Sequence, residues 1–293
     1  MAILNYYVGI VGCGKTTVAR KLCKENDVFL DSDAIREELY GDAADQSNPA
    51  LVFATMEKRA IEALNNGQNV HYVACNIWSR KRISFLLALK KKVNQGYYKC
   101  HIIEAPVAIC RARNSARSRI VPAYVIDKQL RQFEVPYFGE GWDKIDIIHN
   151  YTTEEGQSCI NEIFDKVFDF GDQQNEHHNL TLWDHCAKAY EYSCINNFPI
   201  AVKGAALIHD YGKAWTAQYW EKDNGKNLHY PNHANVGAWL ALNQGMGLET
   251  AQLVNYHMLH YTDEKCQATW RARLGEKLWN ELALLYEADK AAH

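Results

Sequence analysis

The sequence predicts an α/β domain with a parallel sheet covered on both faces over residues 1–170, followed by an all-α domain over residues 171–293. Three observations predict it. Short apolar runs alternate with helical patterns through the first half, as strands joined by crossover helices do. Strand signals stop near residue 170, and periodic helical stretches follow. Histidine usage shifts at the same place, with nine of the twelve histidines lying after residue 176. For 293 residues, two domains is also the natural division.

In chain order, residues 3–11 read as a strand, 15–24 as a helix, 28–30 as a short strand and 33–40 as a helix. A helix (50–65), a strand (69–74), a helix (79–93) and a strand (98–104) come next. Pro106 stands where a helix would start, and 145–149 reads as a last strand. The polar connector 171–176 (GDQQNE) marks the boundary. Beyond it, residues 180–195, 200–208, 232–242, 250–257 and 276–291 carry helical periodicity.

Hydrophobic content of 47% and charged content of 23% are ordinary for a water-soluble globular chain. No apolar run reaches the roughly 20 residues of a membrane span, so no membrane partner is expected. The apolar start runs straight into a glycine-rich loop, and so reads as a buried first strand rather than a signal peptide. Nine cysteines, an odd number with no Cys-x-x-Cys pair, read as reduced, mostly buried thiols of a cytoplasmic protein. Net charge is −3, yet residues 80–131 hold thirteen Lys and Arg against Glu104 and Asp127, a local +11. That stretch suits a polyanionic substrate, and a solvated helix face accounts for part of it.

The run Gly9-Ile-Val-Gly12-Cys13-Gly14-Lys15-Thr16 fits G-x-x-x-x-G-K-[ST] between a strand and a helix. Gly9, Gly12 and Gly14 let backbone N–H groups, those of Cys13 and Thr17 included, turn toward phosphate oxygens. Lys15 adds positive charge, and Thr16 offers a hydroxyl to magnesium, so ATP or another nucleoside triphosphate with Mg2+ is the expected ligand. A loop that binds nucleotide without turnover is the plainer alternative. Past the second strand, Asp33 is a candidate general base for an acceptor hydroxyl, although an Asp at a helix start is commonly an N-cap. Arg36, one turn on, is placed to hold a substrate phosphate beside it. Arg113 and Arg117, four apart in RARNSARSR, would project from one helix face over a transferring phosphate, or form an exposed basic helix.

These elements in order, Gly12–Thr16, Asp33 with Arg36, Arg113-Asn114-Ser115 with Arg117, and Val121-Pro122, resemble the polynucleotide 5′-kinase of end-healing enzymes over about residues 1–150. The resemblance implies that Asp33 is the general base, that Arg36 contacts the nucleotide 3′-phosphate, and that Arg113 and Arg117 grip ATP phosphates. One position departs: where the family carries an acid two residues before the Asn matched by Asn76, this chain has Ala74.

In the second half, His209-Asp210 sits in ALIHDYGK, a pairing that suits a divalent cation. His185, His233, His257 and Asp289 each fall on a predicted helix around it. This series resembles the HD phosphohydrolase superfamily over about residues 175–293. The resemblance implies one divalent transition-metal ion on His185, His209, Asp210 and Asp289, and a second on His233 and His257, with Lys213 beside the substrate phosphate. Lys213 as a surface lysine is the plainer alternative. His260 is an alternative ligand to His257, and His177, His178, His229 and His260 are lesser candidates for substrate contact.

Together the two resemblances imply RNA end healing. A 5′-hydroxyl is phosphorylated, and a 3′-phosphate or 2′,3′-cyclic phosphate is removed, on RNA ends, tRNA among them, with DNA ends left open. A separate RNA ligase would act downstream. The alternatives are a small-molecule or nucleotide kinase fused to a nucleotide phosphohydrolase, and an RNA-end sensor without turnover.

Overall fold

Alternating burial along β1 (Ala2–Val8) fixes the centre of the first unit: Leu4, Tyr6 and Val8 are buried, while Ile3 and Asn5 are partly open. The computed structural model describes residues 1–174, 179–221 and 225–293. After β1 come α1 (Lys15–Leu22), β2 (Val28–Asp31), α2 (Ser32–Tyr40), α3 (Pro49–Asn65), β3 (Val70–Val73) and α4 (Ser79–Lys92). They are followed by β4 (Gly96–Glu104), α5 (Val107–Ser115), α6 (Ala123–Arg131), β5 (Lys144–His149) and α7 (Thr153–Phe170). Contacts divide the chain into two units: residues 1–105, 109–121 and 136–150 form the first, and 106–108, 122–135 and 151–293 the second.

The first unit is a five-stranded parallel sheet in the order β2-β3-β1-β4-β5, with helices packed against it. β1 lies between β3 and β4, so the chain leaves it at the point where the strand order reverses, where an open α/β sheet binds its ligands. On one face Tyr6 stacks on Tyr72 at 5.0 Å and also meets Phe85 and Trp142, each at 5.1 Å. Beside these rings lies a buried ion pair, in which Arg82 Nε donates to Glu140 Oε2 at 2.7 Å. Trp142 Nε1 donates to the same oxygen at 2.7 Å, and Arg82 Nη1 donates to Asn76 O at 3.0 Å. Arg82 therefore serves the core and not the basic surface, and of the basic stretch Lys128 and Arg131 belong to the second unit.

The second unit continues with α8 (Leu182–Ile195), α9 (Ile200–Ile208), α10 (Lys213–Thr216), β6 (Gln218–Tyr219) and β7 (Leu228–His229). Its last helices are α11 (His233–Asn243), α12 (Gly247–Tyr256), α13 (Glu264–Leu274) and α14 (Glu276–Ala291). α8, α9 and α14 pack on one another, and α12 packs on α9, α14 and α11, with Trp239 and Leu240 of α11 buried. The unit is helical but not wholly so: β6 and β7 pair antiparallel, with Leu228 N and Tyr219 Oη bonded to Gln174 at 3.1 and 2.6 Å. Two-residue strands carry no periodicity, which is why the sequence pattern does not reveal them. Residues 122–135 belong here because Asn255 Nδ2 and Oδ1 and Tyr256 Oη bond the backbone of Phe133 and Val135, and Phe133 packs edge-on against Trp239 at 4.8 Å. α7, opened by a Thr152–Glu155 capping box, buries Cys159, Ile163 and Val167 in the same unit. By contacts, then, the second unit begins earlier than the connector at 171–176, whose residues 175 and 176 lie outside the described residues. All nine cysteines are free thiols, five of them buried. Among the described residues no helix is long and apolar enough to cross a membrane.

Replacing Arg82 by Met strands the Glu140 carboxylate in the core and is expected to cost about 3–5 kcal/mol. Adding Glu140→Gln, which keeps an acceptor for Trp142, should restore most of that. Urea midpoints of the single and double variants, followed by tryptophan fluorescence, test this. Equal midpoints for the two variants contradict it.

Candidate functional site

The glycine-rich loop hangs between three strand ends. Gly9 N donates to Cys75 O at 3.0 Å, just past β3, and Asn150 Nδ2, just past β5, donates to Cys13 O at 2.8 Å. Gly12 has a φ of 84°, and a Cβ there would lie 2.1 Å from the carbonyl oxygen of Cys110 on α5, so no other residue fits. Lys15 Nζ folds back to donate to Gly9 O at 2.9 Å and Ile10 O at 2.8 Å. Burial pushes the Cys13 thiol up, so it stays neutral beside that ammonium. Thr17 is exposed in the first turn of α1, where its N–H joins the free donors of the helix start.

Thr16 Oγ1 donates to Asp31 Oδ2 at 3.1 Å. Asp31 also caps α2, its Oδ1 accepting from Asp33 N at 2.8 Å. Asp31 therefore takes the N-cap role, and Asp33 does not. Asp33 instead pairs with Arg36 Nη1 at 2.7 Å and with Arg119 Nη1 at 3.4 Å, its side chain 44% exposed. Arg36 is buried with its Nε unpartnered. Ala74 is buried at the end of β3 and brings no carboxylate. The acid that reaches Thr16 comes from the end of β2 instead.

The arginines differ from the sequence reading. α5 ends at Ser115, so Arg117 lies beyond it in an exposed turn and shares no helix face with Arg113. The cause is Asn114, whose side chain exchanges two hydrogen bonds with the backbone of Val121 at 2.7 and 3.0 Å and turns the chain there. Arg113 Nη2 donates to Asn150 O at 2.8 Å, and its buried Nη1, without a partner, lies against Gly14. Arg119, which no spacing rule singles out, reaches Asp33 and also donates to Ala43 O at 2.8 Å.

In the second unit His185, His209, Asp210, His233, His257 and Asp289 come together, all buried. His185 Nε2 lies 3.2 Å from His209 Nε2, 3.4 Å from Asp210 Oδ2 and 3.1 Å from Asp289 Oδ1. His233 Nε2 lies 3.2 Å from Asp210 Oδ1 and 3.2 Å from His257 Nε2, which is 3.7 Å from the same oxygen. Asp210 thus stands between two triads, His185–His209–Asp289 on one side and His233–His257 with its own Oδ1 on the other.

Backbone carbonyls fix the imidazoles. The Nδ1 atoms of His209, His233 and His257 lie 2.8–3.0 Å from the carbonyl oxygens of Ala206, Tyr230 and Val254. A carbonyl only accepts, so each Nδ1 carries a proton, and Nε2 is the ring nitrogen left to face the cluster, bare whenever the ring is neutral. The His233–His257 contact at 3.2 Å is then two lone pairs face to face, an arrangement that calls for a cation. Burial also holds the His233 pKa below the usual histidine value, favouring the bare form. Burial likewise opposes charge on His185, but the neighbouring carboxylates of Asp210 and Asp289 outweigh it and push its pKa up to about 9. A proton on His185 is one answer to this electrostatic demand, and a divalent ion is another. Asp289 Oδ1 accepts no hydrogen bond, while Tyr261 Oη holds its Oδ2 at 2.7 Å. The donor set fits transition-metal ions.

Lys213 is not a surface lysine. It is buried, with Nζ 2.6 Å from Asp210 Oδ2 and 2.8 Å from Gln173 Oε1. Burial opposes ionisation of Asp210, yet Lys213 and His209 hold its carboxyl well below the usual carboxylate range. Gly212 allows the close approach of this turn to α11, since a Cβ would meet His233 O at 2.0 Å. His260 packs against Trp279 at 4.4 Å with its ring tilted by 34°, and His257 stands in the cluster instead. His229 stacks on Trp220 at 3.9 Å, while His177 and His178 lie outside the described residues. Asp31, Arg119 and Asn150 escaped the sequence reading. Asp31 and Asn150 each directly follow or end a strand beside the loop, the one signal that could have marked them.

Residues 4–136 match the AAA domain family. The L-seryl-tRNA(Sec) kinase of Methanococcus maripaludis is 26% identical over 185 residues, 59% of this chain and 68% of that relative. Among solved structures, a gluconokinase from Sinorhizobium meliloti 1021 is 14% identical with a TM-score of 0.36, covering 57% of this chain and 95% of its own. A fungal RNA kinase is 13% identical with a TM-score of 0.35, covering 58% of this chain and 87% of its own. The first unit is thus a P-loop domain of kinase type, which takes a nucleoside triphosphate with Mg2+.

Gly12→Ala should abolish the thermal shift that Mg-ATP gives the unsubstituted chain, because its Cβ collides with backbone at a φ that L-residues resist. An undiminished shift in that variant contradicts the geometry.

Proposed function

We propose that this chain heals broken RNA ends, phosphorylating a 5′-hydroxyl in the first unit and hydrolysing a 3′-phosphate or 2′,3′-cyclic phosphate in the second, as an HD phosphohydrolase does. The observation that carries the reading is the buried cluster of bare Nε2 atoms around Asp210, which a kinase alone does not need. The relative that is an L-seryl-tRNA(Sec) kinase adds support, since that protein's substrate is an RNA that presents a hydroxyl.

In the first unit, Lys15 and the loop N–H groups bind the triphosphate, and the unpartnered Arg113 Nη1 beside Gly14 is free to meet a phosphate oxygen. Asp33, the exposed partner of two arginines, accepts the proton of the attacking hydroxyl. Arg36 and Arg119 hold the acceptor's neighbouring phosphate. Arg117 reaches the site only by movement of its exposed turn. In the second unit, one or two divalent transition-metal ions, held by His185, His209, Asp210 and Asp289 and by His233 and His257, supply an activated water and a clamp on the phosphate. Lys213 orients Asp210 and adds positive charge at the phosphate. A separate ligase joins the healed ends.

Asp33→Ala is expected to lower 5′ phosphorylation of an oligoribonucleotide by about 100-fold or more and to spare 3′ processing. Asp210→Ala should do the reverse. Assays with labelled ATP and with a 2′,3′-cyclic phosphate end read the two separately. Loss of both activities in either folded variant contradicts the two-site reading, and phosphorylation of free nucleosides but not oligonucleotides favours the small-molecule kinase.

A further inference from the structure

His293 lies at the metal-type cluster without belonging to any pattern in the sequence. It follows α14, one helical turn beyond Asp289, and its Nε2 is 3.8 Å from Asp289 Oδ1. Its ring centroid is 5.1 Å from that of His185, tilted by 45°. The turn that brings it there is anchored: Ala292 is 1% exposed, and its N–H donates to Asp289 O at 3.1 Å. The atom it approaches is the buried Asp289 Oδ1 that accepts no hydrogen bond, the other oxygen being pinned by Tyr261.

We infer that His293 is a further protein ligand of the divalent transition-metal ion held by His185, His209 and Asp289. The inference rests on the metal reading of that cluster. Ligand atoms on one ion stand about 3–4 Å apart when each is about 2.0–2.2 Å from the metal; the His293–Asp289 separation of 3.8 Å falls within that spacing, while His293 stands outside the 4.8 Å triad of the other three ligand atoms, so its imidazole closes onto the ion by a side-chain turn. Its side chain is 34% exposed, so it closes the outer side of the triad while the other three ligands are buried. A third imidazole makes this position nitrogen-rich and favours zinc, cobalt or nickel over magnesium. On the His233–His257 side no such addition is seen among the described residues, so the two positions differ in donor set and in affinity.

The test uses the full chain, stripped with a chelator and titrated with Co2+ while visible absorption is read. His293→Ala and His293→Gln are compared with the unsubstituted protein. The expected result is the same number of ions bound in all three. In both variants one ion should be held at least ~10-fold more weakly, since even an outer-shell partner costs that much. Its absorption bands should shift as a nitrogen ligand is lost, and the circular dichroism should stay unchanged. Cobalt uptake by the unsubstituted chain with identical affinity and spectrum in both variants overturns the assignment of His293 alone. No uptake by the unsubstituted chain overturns the metal reading, and His293 with it.

Discussion

Burying Asp210 among imidazoles whose outer nitrogens are committed to backbone carbonyls is the constraint on which the second unit turns. Each carbonyl, from Ala206, Tyr230 and Val254, precedes its histidine by three residues, so the local chain path that holds the ring also fixes its tautomer. When the rings are neutral their Nε2 atoms cannot satisfy one another. His185, His233 and Asp289 lie on α8, α11 and α14, while His209 and His257 directly follow α9 and α12; α8, α9 and α14 pack on one another, α12 packs on α9, α11 and α14, and that core holds mutually unfavourable groups together. Lys213 balances one carboxylate from inside the unit and leaves the demand of the other side to a proton or an ion.

The first unit meets an anion in the opposite manner. Its loop offers backbone donors, and its shape is enforced by groups that bear no charge: Cys75 O, the Asn150 amide and the carbonyl of Cys110 that excludes any side chain at Gly12. Charged groups are then added from elements that converge on the carboxyl end of the sheet, Lys15 from α1, Arg36 from α2 and Arg113 from α5. The Arg82–Glu140 pair stands behind this arrangement. Through Asn76 O it supports the segment after β3, whose Cys75 carbonyl in turn holds Gly9.

Much of this was legible in the sequence, because the features involved are local. The strand–loop–helix unit at Gly9–Thr16 is set by short-range chemistry, and every strand of the sheet was legible within a few residues. The six residues of the Asp210 cluster were legible only as an ordered series, through the resemblance it carries, since a His-Asp dipeptide alone is common by chance; the structure sets His209, Asp210 and His257 just past helix ends. What was not legible depends on the tertiary path. Arg117 looked like a partner of Arg113 because helical spacing was assumed to continue, whereas the Asn114–Val121 bonds stop the helix and hand the contact with Asp33 to Arg119. The N-cap of α2 fell to Asp31 rather than Asp33, a shift of two residues that leaves Asp33 available for ion pairs. The affiliation of residues 122–135 with the second unit rests on Asn255 and Tyr256, over a hundred residues away, and no pattern within the segment records it.

The contrast between the sites bears on how one chain could act on both sides of a break. A site built from arginines, a lysine and backbone donors binds phosphate as it stands, and its affinity for a strand end falls with salt. A site built from lone pairs and carboxylates repels phosphate until cations are bound, so the proposed 3′-end activity would follow metal supply instead. In the proposed function the two sites are thereby placed under different controls. Asp33 and Asp210 express the difference most directly: each carboxylate faces cations, but those of Asp33 are the chain's own arginines. Those of Asp210 are only partly so: Lys213 is the one ammonium among its close partners, and imidazoles, His185 and His233 among them, fill the rest.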